Sequence, residues 1–171
     1  PGTHPEYRSV DTQLLGMVIH KLTGMKVADY FSENVWKPIG AEYDAFWNVD
    51  HVDGQEKTFC CFNAAARDYA RVGQMLLNPA GIKINSKEII SPMWMKRLTN
   101  PVTTLDHNWG YSAQVWHPFP GTTMLLGLHG QYVYTDPNYQ VVIVKLSDEP
   151  TDNGNFEELT AAVLKEISEQ N

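Results

Sequence analysis

The chain has 171 residues, 13 Lys and Arg against 20 Asp and Glu, and a formal net charge of −7. With 43% hydrophobic and 19% charged residues, it has the composition of a folded domain and not of a disordered segment. The acidic balance excludes a nucleic-acid surface, which needs clustered Lys and Arg to displace counterions. Apolar runs such as residues 141–144 are far shorter than the roughly 20 residues that a helical membrane span requires.

In chain order, Leu14, Leu15, Val18, Ile19 and Leu22 recur at three- and four-residue spacing and predict a helix over residues 11–23. Ser9 or Asp11 is its expected cap, and Gly24 its stop. A second helix is expected over residues 26–36, with Val27, Tyr30, Phe31 and Val35 on one face before Pro38 and Gly40. Residues 41–62 carry aromatic residues around the turn signal Asp53-Gly54 and read as short strands or an irregular loop. Helical spacing returns over residues 63–77, with Asn63 as the expected cap and a break at residues 78–81. Ser91-Pro92 opens a short helix through Leu98. Three strand-like runs follow at 109–116, 122–134 and 140–146, the last two joined by the turn Asp136-Pro137-Asn138. Phe156, Leu159, Val163, Leu164 and Ile167 predict a closing helix over 156–167 with that face inward. Helices, then antiparallel strands, then a helix make an α+β class, with residues 1–101 mainly helical and 102–171 holding the strands and the last helix.

The two cysteines, Cys60 and Cys61, are adjacent, and neighbours seldom reach disulfide geometry without distorting the backbone between them. They are expected to pack as small apolar side chains beside Phe59 and Phe62. None of the six histidines has the His-x-x-x-His spacing of a metal site, so no metal is expected. Gly-rich phosphate loops and a Gly-x-Ser-x-Gly elbow are both missing from the sequence. Tyr7, just ahead of the first helix, is either a packing residue or a phenol placed to act as a base.

Four segments together resemble the serine β-lactamase and penicillin-binding-protein superfamily. Tyr7-Arg8-Ser9 followed by Leu14-Leu15-Gly16 is similar to its second conserved element and the helix after it. Trp36-Lys37-Pro38-Ile39-Gly40 resembles its Pro-Leu-Gly turn, and Ala66-Arg67-Asp68-Tyr69-Ala70-Arg71 its Ala-Arg-Asp helix. Gly127-Leu128-His129-Gly130-Gln131, ahead of Asp136-Pro137, resembles its third element. The similarity is to the class C and esterase branch that contains 6-aminohexanoate-dimer hydrolase-like amidases and esterases.

That resemblance implies acyl transfer with neither metal nor organic cofactor. Tyr7 matches the tyrosine that helps deprotonate the nucleophile, Ser9 stands where many relatives have Asn, and the Gln131 N–H matches half of the oxyanion hole. His129 and Gly130 match pocket residues, His129 being equally readable as a satisfied strand histidine. Trp109 and Tyr111 are candidates for an aromatic wall or for packing. Leu128 occupies the place of a lysine, and losing that cation favours ester or amide substrates over penicillins.

The family's first element, Ser-x-x-Lys, is missing: none of the seven serines has a lysine three positions on. The implied expectation is a C-terminal part of one β-lactamase-like domain, holding the base and one oxyanion donor but not the nucleophile. Its partners would be a small-molecule ester or amide and, over the strand at 140–146, the missing N-terminal part or a second copy. The other reading is a non-catalytic binding module that keeps the fold without the chemistry.

Overall fold

The computed structural model describes residues 4–78, 82–84, 87–148 and 154–170. It confirms the α+β class, and the chain forms two compact units, one of residues Glu6–Asp68 and one from Tyr69 onward.

In the first unit, helix α1 (Ser9–Thr23) starts earlier than its apolar spacing predicts, with Arg8, and not Ser9 or Asp11, at the N-cap and no side-chain capping bond. Its stop is as expected: Gly24 takes a left-handed conformation and its N–H donates to the His20 carbonyl at 2.9 Å. The buried side is not the apolar stripe. Leu14, Leu15, Val18 and Leu22 are exposed, whereas Gly16 is buried. The reason is a close approach at Gly16, where a Cβ would come within 2.5 Å of the Thr58 side chain. Gln13 secures the same contact, donating from Nε2 to the Glu56 carbonyl at 3.1 Å and accepting the Thr58 N–H at 3.0 Å. Thr58 Oγ1 adds a bond to the Thr12 carbonyl at 3.0 Å.

Helix α2 (Val27–Phe31) continues as a π-helical turn over Ser32–Trp36, covering the second expected helix. The irregular stretch after it contains a small pair of strands, β1 (Phe46–Trp47) and β2 (Phe62–Asn63), with Asp53 at positive φ in the turn. Phe31, Trp36, Trp47 and Phe62 pack there with ring centres 5.1 to 6.0 Å apart, mostly edge to face. Asn63 does not cap a helix. Its amide ties the strand pair together through Asn48 Oδ1 and the Cys61 carbonyl, and helix α3 (Ala66–Leu76) starts three residues later. Asp68, fully buried in the first turn of α3, accepts the N–H groups of Glu42 at 2.8 Å and Tyr43 at 3.1 Å.

The cysteine expectation fails. Cys60 and Cys61 are bonded to each other across their shared peptide, and Cys61 takes a left-handed φ of 69° that brings the sulfurs together.

The second unit holds a short hairpin that the sequence reading missed, β3 (Ile82–Ile84) and β4 (Lys87–Ile90). Residues 79–81 of the expected helix break lie outside the described residues. Helix α4 (Pro92–Thr99) opens as predicted, with Ser91 Oγ accepting the Trp94 N–H at 3.3 Å. Among the described residues, the main sheet has six antiparallel strands: β5 (Thr103–Thr104), β6 (Gly110–Ser112), β7 (Val115–His117), β8 (Thr123–Gly127), β9 (Gln131–Asp136) and β10 (Val141–Lys145). Each strand pairs with its neighbour in sequence, so two of the three strand-like runs are each a hairpin. The turn between β6 and β7 uses Ala113 and Gln114 at positive φ, residues that carry no ordinary turn signal.

Strand β9 is buried from Tyr132 to Asp136, and its alternation sorts the layers. Tyr132 and Tyr134 join Trp109, Trp116, Met124, Ala161 and Leu164 in the core under helix α5 (Gly154–Glu169). Val133 and the neighbouring Val142 point the other way, toward Gly73 of α3, where a Cβ would lie 2.5 Å from Val142. Filling such a gap typically costs about 1–3 kcal/mol. Of the five residues expected to face inward on α5, only Leu164 does. Phe156, Leu159, Val163 and Ile167 are exposed, and Ala161 and Ser168 are buried beside Leu164. The small side chains let α5 lie close to the sheet. Strand β10 forms one edge of the sheet, as expected for residues 140–146.

Candidate active site

Tyr7 and Ser9 flank Arg8 at the entry to α1 in the first unit. Tyr7 is 58% exposed, and Ser9 is the first helical residue. Arg8 between them lies 3.4 Å from Glu6 and 3.8 Å from Asp11. These exposed pairs contribute little to stability. A cleft of about 220 Å³ in this unit is lined by Gln13, Gly16, His20, Lys26, Asp53 and Glu56. Tyr7 is not among the residues that line it.

In the second unit, Leu128, His129 and Gly130 form the turn between β8 and β9, with Gly127 opposite Gln131. His129 and Gly130 both have positive φ, 62° and 80°, so the backbone at the third element is sharply bent. His129 is exposed and Gly130 buried. Gln131 opens β9, and its side chain has a role that the motif alone does not reveal. Its Nε2 donates to the carbonyls of His129 and Ser147, and its Oε1 accepts the Ser147 N–H at 3.1 Å. The amide thereby continues the sheet's bonding beyond Lys145. Lys145 in turn directs its ammonium at the Gly130 carbonyl, 3.3 Å away, and lies 5.5 Å from the Tyr132 ring centre. A cation therefore stands beside the turn even though Leu128 supplies none.

Trp109 and Tyr111 are not beside that turn. The register pairs Tyr111 with Trp116, Trp116 with Met124 and Met124 with Tyr134. Tyr111 is thus about three residues, roughly 10 Å, along the strands from Gln131, and Trp109 about 17 Å. Trp109 is buried, its ring 6.2 Å from Trp116 and 4.7 Å from His107. Tyr111 stacks edge-on against Trp116 at 4.8 Å.

One further constellation has the residue types of a nucleophile and base. Ser112 Oγ lies 2.7 Å from His117 Nε2, and His117 Nδ1 lies 3.0 Å from the Thr122 carbonyl. A carbonyl only accepts, so Nδ1 carries the proton and Nε2 is open to the serine hydroxyl. Both side chains are buried, Ser112 at 1% exposure and His117 at 6%, and the single Ser112 hydroxyl proton is shared between His117 Nε2 and the Leu98 carbonyl 3.0 Å away. A substrate carbonyl has no room to reach this serine, and the pair ties the β6–β7 hairpin to the end of α4. Its sequence signal was hidden by the unmarked turn at Ala113-Gln114. Among the described residues, no group of three His, Cys, Asp or Glu side chains is placed to hold a metal ion.

Comparison with known proteins decides the family. The profile of the Beta-lactamase family matches residues 1–166. The chain belongs to the beta-lactamase family. It is 27% identical, over 95% of its length, to the 6-aminohexanoate-dimer hydrolase of Paenarthrobacter ureafaciens, and spans 44% of that protein. A candidate 6-aminohexanoate-dimer hydrolase from Bacillus anthracis has the same fold, with a TM-score of 0.87, 30% identity, and 99% of this chain covered against 45% of its own. The octameric penicillin-binding protein homologue from Pyrococcus abyssi shares the fold at a TM-score of 0.71 and 15% identity, over 96% of this chain and 43% of its own. The chain thus spans less than half the length of these relatives.

Burial holds the His117 imidazole below its ordinary value of 6.5, against a smaller upward pull from the nearby Thr122 and Leu98 carbonyls. The unfolded chain then binds a proton that the folded chain resists, so His117 contributes stability above pH 6.5 that is lost as pH falls below it. Urea unfolding at pH 7.5 and 5.5 should show a stability loss on acidification that shrinks in His117→Gln. An equal loss in both proteins would contradict this assignment.

Proposed function

We propose that the protein is a serine hydrolase that transfers the acyl group of a small ester or linear amide, with a 6-aminohexanoate dimer as the model amide. The observation that carries the reading is the family match over residues 1–166, which takes in Tyr7 at the entry to α1 and the turn before β9. In this reading, residues 1–171 are the C-terminal part of one catalytic domain. A serine outside these residues attacks the carbonyl, because none of the seven here has a lysine three positions on. Tyr7, with the lysine of that upstream motif, accepts the serine proton and passes it to the leaving alcohol or amine. The Gln131 N–H helps hold the oxyanion, while Ser9, His129 and Gly130 contact the substrate. The non-catalytic alternative draws on Leu128 and Ser9, which depart from the family's usual lysine and Asn.

The rest of the fold, or a second copy of this chain, covers the β10 edge. The exposed stripe Phe156, Leu159, Val163 and Ile167 on α5 also favours such a cover, as does the stripe Leu14, Leu15, Val18 and Leu22 on α1. Light scattering of the isolated chain at micromolar concentration should show self-association, and a monodisperse, cooperatively unfolding monomer would contradict this. In the protein carrying both parts, Tyr7→Phe should lower kcat/KM for a p-nitrophenyl ester by about a hundredfold or more, as expected for loss of a general base. Unchanged turnover would remove Tyr7 from the mechanism.

A further inference from the structure

The bonded pair Cys60–Cys61 has no part in acyl transfer, and its position in the first unit is specific. A disulfide between adjacent residues closes the smallest possible loop, so it restricts the unfolded chain very little and is a poor global staple. Its effect is local, on the peptide that the two cysteines share. The backbone at and beside that peptide is extensively hydrogen-bonded. The Cys60 carbonyl accepts Trp47 Nε1–H at 2.8 Å, and the Cys61 carbonyl accepts the Asn48 N–H at 3.0 Å and the Asn63 amide at 2.9 Å. The Cys60 N–H closes a turn on the Lys57 carbonyl at 3.0 Å, and Trp47 Nε1 also reaches that carbonyl at 3.0 Å. One residue after Lys57, Thr58 is clamped to α1 by Gln13 and Thr12. Cys61 holds a left-handed backbone that a non-glycine residue disfavours, and the closed ring keeps it there.

We propose that Cys60–Cys61 is a thiol–disulfide exchange site whose opening by a dithiol reductant loosens the turn at residues 57–61 from Trp47 and the β1–β2 pair. Both cysteines are half-buried, so an attacking thiolate has an approach from solvent. One thiolate of the reductant attacks one cysteine sulfur, breaking the protein S–S bond and forming a mixed disulfide. The reductant's second thiol displaces that sulfur and becomes half of the reductant's own disulfide. Two electrons and two protons pass to the protein, leaving Cys60 and Cys61 as thiols. With the ring open, Cys61 leaves the left-handed region and its carbonyl turns away from Asn48 and Asn63. A dithiol oxidised to its disulfide reverses the step.

The test uses the full chain purified without reductant, before and after incubation with dithiothreitol. Iodoacetamide applied under denaturing conditions should add nothing before reduction and two groups after it. Hydrogen exchange at the Asn48 amide should speed up by about tenfold on reduction, as for local opening, while the amides of β9 stay protected. A Cys60→Ser/Cys61→Ser double variant should exchange at the reduced rate with and without dithiothreitol. Two alkylated cysteines before reduction would overturn the proposal, as would Asn48 exchange that is the same in both redox states. A dithiothreitol response that persists in the double variant would overturn it too.

Discussion

The second unit depends on one constraint, the burial of strand β9 on both faces. Because Tyr132 to Asp136 have no solvent face, the residues on either side must fit at close range. Gly73 lets α3 approach Val133 and Val142, and Ala161 with Ser168 lets α5 approach the opposite face. Asp136, at the end of the same strand, is satisfied by the Asn138 N–H at 3.0 Å and by Ser168 Oγ at 3.2 Å. A strand fixed so firmly along its length gives Gln131 and the turn before it a definite position, which the proposed role as an oxyanion donor would require.

The first unit meets an equivalent demand by a different route. Its aromatic cluster is small, so much of its definition comes from polar bonds to backbone. Asp68 holds residues 42 and 43, Gln13 and Thr58 hold the loop at residues 56–58, and Trp47 holds residues 57 and 60. Such bonds each contribute on the order of 1 kcal/mol, but leaving one partner buried and unpaired costs more. The fold of this unit is therefore sensitive to backbone direction, which is where the Cys60–Cys61 bond acts.

What the sequence made legible follows from these two arrangements. Helix positions came through because their spacing and stops, such as Gly24 and Ser91-Pro92, are local signals. Helix orientation did not, because α1 buries Gly16 and α5 buries Ala161, Leu164 and Ser168, while most of their apolar stripes stay outside. Hydrophobic periodicity finds a face that needs covering, and on both helices most of that face is exposed. The strand count was obscured by turns at Ala113-Gln114 and Leu128-His129-Gly130, which mostly lack the residues that usually mark positive φ. Of the candidate site, the motif positions Tyr7 and Gln131 could be read from order and resemblance. The Gln131 side-chain bonds to Ser147 and the Lys145 contact with Gly130 required the register of β9 and β10.

The central claim is that this chain holds the base and oxyanion strand of a serine hydrolase whose nucleophile lies outside its 171 residues. Labelling the protein that carries both parts with a fluorophosphonate probe, followed by peptide mapping, tests it most directly. The account predicts one labelled serine, followed three positions later by lysine, and none among Ser9, Ser32, Ser86, Ser91, Ser112, Ser147 and Ser168. Label on any of those seven, or no label at all, would contradict it.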